Sequence, residues 1–279
     1  MIIQNPLIAY KIVRAQELQK LISPFVLRRT KEQVAQDLPS KIEDYIYINL
    51  GEEQQKVYDA FRNKYRDYLL GKIKEDGLGK SKMYVLEGLT KLRLICDSPA
   101  LVDDGKHAGE SAKIQVLIKH ITEKTANHKM LVFSQFTKML ALVKIALDQE
   151  GIPYEYLDGQ RSQKQRKNSV DNFQENKDIR VFLISLKAGN VGLNLTAADY
   201  VYLLDPWWNP AVESQAIDRT HRIGQDKHVI AYRMIARNTI EEKIMKLQQR
   251  KKKLASDLIQ TDESVMKSIT KDEILDLFS

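Results

Sequence analysis

Cysteine is almost missing from this sequence: one residue, Cys96, in 279. That excludes an intramolecular disulfide and any cysteine-cluster metal site. Cys96 is expected to sit in the core as a small hydrophobe. The five histidines are scattered without the spacing of a ligand set. Among them, His221 is expected to pack or join a polar network rather than bind a metal. No apolar run exceeds strand length, so no membrane helix is expected, and no secretory leader is visible. The chain therefore reads as intracellular, without a membrane partner.

Acidic residues are the minority charge. Lys and Arg number 44 against 37 Asp and Glu, a formal net charge of +7, which favours acidic partners. From Lys243 to Lys253 basic residues stand at 243, 246, 250, 251, 252 and 253 with no acidic residue between them. That run suits a solvated helix face, or contact with a phosphate backbone or an acidic protein. The 43% hydrophobic content supports a packed core. At this length one large domain, or one domain with an appended subdomain, is expected.

Two styles of patterning divide the chain. Before residue 110 the pattern is helical. Apolar spacing predicts helices over 7–21, 52–70 and 83–95, with a short extended run through Ile42, Tyr45, Tyr47 and Leu50. A Gly/Lys/Asp loop is expected over 71–82, and a polar loop over 99–109. After residue 110 short apolar strands at 130–133, 154–157, 179–184, 200–204 and 229–234 alternate with helices at 111–124, 137–149, 162–174, 212–221 and 239–259. A final short helix covers 272–278. Such alternation predicts βα units on a parallel sheet covered on both faces. Sites in these sheets gather at the carboxyl ends of strands. Four polar segments fall there: Ser134-Gln135, Asp158-Gly159, Ser185 to Asn194, and Asp205 to Pro210.

The segment from Gln215 to Gln225 places Gln215, Arg219 and Arg222 at spacings of four and three, which share one face of a helix. Guanidiniums bond phosphate oxygens bidentately and keep their charge. An arginine so placed can stabilise charge on a phosphoryl group in transfer. An RxxR pair alone would equally suit a solvated face. The loop after the 179–184 strand holds Ser185, Lys187, Gly189, Asn190, Gly192 and Asn194. Gly and Asn tolerate left-handed backbone, so the loop can present N–H groups to an anion or make a tight turn. Ser134 and Gln135 can bond phosphate oxygens, although Ser134 also suits a helix cap. Trp208 can stack on or wedge into nucleic acid, or pack against the following helix, which Asn209-Pro210 begins.

Read together, Val181 to Pro210 and Gln215 to Gln225 closely resemble the last helicase motifs of the SWI/SNF-like DNA-dependent ATPases, a branch of helicase superfamily two. Lys129 to Phe136 resembles an earlier motif of that family. Tyr156-Leu-Asp158-Gly159 resembles the following strand-end motif. Ser23 to Lys31 with Leu38-Pro39-Ser-Lys41 resembles the linker between the family's two ATPase lobes. The resemblance implies a RecA-like α/β lobe with helices on both faces of a parallel sheet and a helical N-terminal region. It implies residues 1–50 as linker and N-terminal helix, 51–109 as a helical insertion, 110–238 as the C-terminal lobe, and 239–279 as bracing helices. It further implies arginine-finger roles for Arg219 and Arg222, and nucleotide contacts from Gln215, Gly192 and Asn194. DNA contacts are implied for Ser134, Gln135, Ser185, Lys187, Gly189, Asn190 and Trp208. The family often has Gly where Asn190 stands.

The family's other hallmarks, a phosphate loop ending in Gly-Lys-Thr and an Asp-Glu box for magnesium, do not occur in this sequence. Gly79-Lys80-Ser81 does not complete the loop pattern, because Lys74 occupies the position of its first glycine. The resemblance thus implies the second half of an ATP-driven motor on double-stranded DNA. ATP and Mg2+ would be held mainly by a first RecA-like lobe of the same protein. A protein–DNA complex would be a further partner. A prokaryotic cytoplasmic, nucleoid-associated setting is expected, or a nuclear one in a eukaryote. A non-catalytic DNA- or partner-binding module on the same fold is the alternative. An unrelated α/β enzyme for a phosphorylated metabolite is a third.

Overall fold

The computed structural model describes residues 21, 35, 37–102, 107, 109–124, 126–189, 192–254 and 271–279. The expected helix over 7–21 (save Leu21), the linker segment from Ser23 to Lys31, and Asn190 lie outside them. The chain divides into two units, Met1–Leu38 and Pro39–Ser279. The second unit carries the whole sheet.

Six strands form one all-parallel sheet: β1 (Lys41–Ile48), β2 (Met130–Ser134), β3 (Tyr154–Leu157), β4 (Val181–Ser185), β5 (Tyr200–Leu203) and β6 (Val229–Ala236), in the order β1-β6-β5-β2-β4-β3. The central strands β2, β4 and β5 are buried along their whole length, as unbroken apolar runs in a doubly covered parallel sheet should be. The expected extended run is more than linker. Lys41–Ile48 pairs with Val229–Ala236 over eight residues and becomes an edge strand, so the sheet begins before the boundary expected at residue 110.

Helices cover both faces, as the alternation predicts. Helices α2 (Ala112–Lys124) and α3 (Thr137–Gln149) bring Leu117, Ile121, Met139, Leu140, Val143 and Leu147 to Val132, Leu183 and Tyr202. On the other face α4 (Gln163–Glu175) supplies Phe173, and α6 (Pro210–Ile217) supplies Ala216 and Ile217, against Leu131, Phe182 and Val201. Ser162 and Gln165 start α4 with a reciprocal capping box. Asn209 caps α6 with Pro210 at its first position. Between β4 and β5 lies the four-residue helix α5 (Leu186–Gly189).

A third cluster belongs to an appended helical body. Helical backbone runs without a break from Glu52 to Asp97, here α1, where a loop is expected over 71–82. A straight helix rises about 1.5 Å per residue, which would set Tyr68 and Tyr84 roughly 24 Å apart. Their rings are 5.1 Å apart, Tyr65 Oη reaches Glu87 at 3.0 Å, and Gln54 Nε2 reaches the Ile95 carbonyl at 2.7 Å. The two arms of α1 are therefore antiparallel. The chain reverses between Leu70 and Met83, where the expected loop lies, while keeping helical backbone. Tyr58, Leu69, Leu89, Leu92 and Ile95 of this hairpin pack on Ile240 and Ile244 of α7 (Ile240–Leu254) and on Ile274, Leu277 and Phe278 at α8 (Lys271–Leu277). The Thr239 hydroxyl accepts the Glu241 N–H to cap α7, while Asn238 takes the left-handed backbone at φ 57°. Cys96 is fully buried in this cluster.

Candidate functional site

The carboxyl ends of β5, β2, β4 and β3 stand side by side, so the four polar segments share one edge of the sheet. At its middle Asp205, fully buried, accepts the Ser134 hydroxyl at 2.6 Å and the Gln135 N–H at 3.0 Å. Ser134 Oγ also accepts the Phe136 N–H at 3.0 Å. Ser134 is itself buried, so its hydroxyl is occupied within the protein and shapes the turn after β2. Phe136, not Ser134, holds the cap position of α3. Gln135 stays partly exposed, with a buried Nε2 that has no partner.

The residues flanking Asp205 are gripped as firmly. Lys113, fully buried, donates to the Leu204 carbonyl at 2.6 Å, to Glu241 at 2.7 Å and to Asp97 at 2.9 Å. Burial pushes the Asp97 and Glu241 carboxyls above the usual range even with Lys113 beside them. Burial alone would lower the Lys113 ammonium; the two carboxylates outweigh it and keep it charged. Arg93, 4% exposed, donates to the Pro206 carbonyl at 2.6 Å. Trp207 donates its N–H to Glu213 at 2.7 Å and its carbonyl accepts Gln248 of α7. Glu213 in turn holds Arg233 at 2.7 Å, which reaches Glu43 of β1 at 2.9 Å. Trp208 is half-buried against the hairpin cluster, and Trp207 against the sheet. Trp208 thus packs on the cluster formed by the hairpin and the C-terminal helices.

The arginine segment departs from the expected helix over 212–221. Helix α6 ends at Ile217, and Arg219 and Arg222 lie in the turns beyond it. The cause is local: the Thr220 hydroxyl bonds back to the Ile217 carbonyl at 2.7 Å, and Gly224 adopts φ 96°, which favours glycine. Gln225 then locks the turn, donating to the carbonyls of Ala198, Thr196 and Thr220. Gln215 is exposed on α6, so the three residues do not form one continuous helical face. The arginines differ in setting. Arg219 is 6% exposed and its Nε has no partner, whereas Arg222 is exposed. Burial, then the neighbouring charge of Arg222, lowers the Arg219 pKa, with Asp218 opposing.

The loop after β4 meets this turn. Arg222 Nη1 donates to the Leu193 carbonyl at 3.2 Å, and the Leu195 N–H donates to the Arg219 carbonyl at 3.1 Å. Gly192 (φ 26°), just before Leu193, and Asn194, between Leu193 and Leu195, are exposed. Lys187 is exposed, while buried Ser185 caps α5 by accepting the Ala188 N–H at 3.3 Å. Arg166 of α4 holds the Ala188 carbonyl at 2.9 Å, just before Gly189. The structure thus makes two groups of the sequence-selected residues: Ser134, Gln135 and Trp208 around Asp205, and Gly192, Asn194, Arg219 and Arg222 around the arginine turn.

Some selected residues are committed elsewhere. His221 bonds the Pro39 carbonyl at 2.8 Å through Nε2, in keeping with a polar-network role. Lys243, first of the basic run, donates to the Asp276 and Ser279 carbonyls and caps the end of α8. The sequence pattern did not single out Arg93, Lys113 or Asp97. Among the described residues no group of three or more His, Cys, Asp or Glu could hold a metal ion.

Residues 112–224 match the helicase conserved C-terminal domain family, and residues 2–101 match the SNF2-related domain family. The chain is 41% identical over 264 residues to an uncharacterized ATP-dependent helicase of Mycoplasma genitalium, covering 94% of the chain and 25% of that relative. It therefore spans about a quarter of the length of that relative. The C-terminal domain of the Sulfolobus solfataricus SWI2/SNF2 ATPase is similar at 32% identity and TM-score 0.69, over 84% of this chain and 96% of that one. The ATPase core from the same organism, solved in complex with dsDNA, is similar at 34% identity and TM-score 0.71, over 93% of this chain and 55% of that one.

Proposed function

Because the chain belongs to the SWI2/SNF2 ATPase family, carrying its helicase C-terminal domain, we propose that it is the second ATPase lobe of a translocase that moves along double-stranded DNA. The observation that carries this reading is the arginine turn. Arg219 is a nearly buried cation with an unpartnered Nε, and Arg222 stands exposed beside it, hydrogen-bonded to the β4 loop. Guanidiniums do not discharge at neutral pH, so two of them in this setting favour an anion brought to them.

In this reading a first lobe holds most of the nucleotide. Arg222 reaches the transferred phosphoryl group and Arg219 adds charge behind it. Gln215 senses the nucleotide from α6, and Gly192 and Asn194 line the same side. Mg2+, when bound by the first lobe, neutralises phosphate charge. Gln135, Lys187, Gly189, Asn190 and Trp208 track one DNA strand, while Ser134 and Ser185 fix the loops that carry them. Alternate closing and opening of the lobes around ATP would pass that strand along.

DNA binding by this chain is expected to be sequence-independent and governed by phosphate contacts. Titration of a fluorescent duplex at several salt concentrations tests it. Log affinity should fall linearly with log salt, by roughly 0.9 for each phosphate engaged. Affinity indifferent to salt contradicts the reading.

A further inference from the structure

We propose that Arg93, on the helical hairpin and outside every motif that suggested the function, is a positioning residue that holds the two DNA-contact loops in register. Its guanidinium lies 5.4 Å from the centroid of the Phe136 ring and 5.7 Å from that of Trp208, and donates to the Pro206 carbonyl at 2.6 Å. Phe136 follows Gln135 in the loop after β2. Pro206 and Trp208 lie in the loop after β5. One side chain from a third element therefore joins both loops that the DNA reading uses, and the inference rests on that reading.

Fold stability alone accounts poorly for an arginine here. Arg93 is 4% exposed, its Nε has no partner, and no ion pair holds it among the described residues. Burying a cation without a carboxylate is costly, and an apolar side chain of similar length would fill the space more cheaply. What arginine alone supplies is a flat cation that stacks on rings while its edge donates to a carbonyl. Lysine has no such plane. The surroundings make the joint stiff. Lys113 grips the Leu204 carbonyl, and the Asp205 carboxylate grips Ser134 and Gln135. Residues 204–206 are therefore held in turn by α2, by the end of β2, and by the hairpin. Through Arg93, the α1 hairpin sets where Gln135 and Trp208 stand relative to one another.

The test uses the full-length protein with both lobes, measuring ATP hydrolysis against the concentration of linear duplex DNA. Arg93→Met and Arg93→Lys should each raise the half-saturating DNA concentration about tenfold, the scale of one charged hydrogen bond. The rate without DNA and the rate at saturating DNA should stay near wild type. Phe136→Leu keeps the apolar volume, removes one wall of the stack, and should raise half-saturation about threefold, so the proposal stays testable if Arg93→Met fails to fold. Wild-type half-saturation in both Arg93→Lys and Phe136→Leu would reduce Arg93 to a packing residue and overturn the proposal. A wild-type protein whose hydrolysis ignores DNA would overturn the functional reading itself, a result distinct from the first.

Discussion

Arg219 and Arg222 share a turn but not an environment, and their difference gives the first residue-scale expectation. In the proposed function the exposed Arg222, tethered to the Leu193 carbonyl, is the one that meets the phosphoryl group. In the full-length protein Arg222→Ala should lower DNA-stimulated turnover by on the order of 10³-fold or more while leaving DNA affinity near wild type. Retained turnover would remove its catalytic role. The Lys113 cluster gives a second expectation, now of stability. Burial raises the Asp97 carboxyl above its unfolded value. A carboxyl with a raised folded pKa contributes stability that is full below its unfolded pKa, about 3.9, and is lost as pH rises through the folded pKa. Asn mimics the protonated form. The stability of wild type relative to Asp97→Asn should therefore decline as pH rises from about 4, read from urea midpoints across pH. A relative stability that grows with pH would reverse the sign and contradict the assignment.

Among elements, the α1 hairpin is the most exacting case. A Cβ at Gly88 would stand 2.8 Å from Tyr65 Cδ1 and 3.0 Å from Phe278 Cζ. On a straight helix Gly88→Ala would stabilise by about 1 kcal/mol through propensity. In the antiparallel hairpin the methyl group meets two packed rings, and the net effect should be a loss of about 1–3 kcal/mol. Urea denaturation decides it, and a stabilised Gly88→Ala would contradict the antiparallel packing. The element scale also shows where the sequence was legible. Apolar runs located β2, β4 and β5 because doubly buried strands leave a continuous signal. Asn209-Pro210 announced α6 because a cap is local chemistry. The end of α6 at Ile217 was hidden, since the Gln225 clamp onto the Thr196 and Ala198 carbonyls is a tertiary fact. So was the sheet role of Lys41–Ile48, whose mostly exposed residues lack the inward run of a central strand. At the site, the arginine spacing drew attention to the turn that follows α6. It could not reveal that Ser134 spends its hydroxyl on Asp205, or that Arg93 reaches across from the hairpin 113 residues away in sequence.

At the scale of the molecule, a parallel sheet presents one polar edge. The helical hairpin and C-terminal helices are fastened to that edge through residues 204–208. The arginine turn sets two cations side by side, and neither a phosphate loop nor an Asp-Glu box occurs in the sequence. The chain spans about a quarter of the length of its Mycoplasma genitalium relative. The most direct measurement is therefore magnesium-dependent ATP hydrolysis, with duplex DNA present, by this chain alone and after mixing with a separately produced first lobe. The account predicts no hydrolysis by either part and turnover on mixing that Arg222→Ala abolishes. Robust hydrolysis by the chain alone, or none from the mixture when the full-length protein is active under the same conditions, would contradict it.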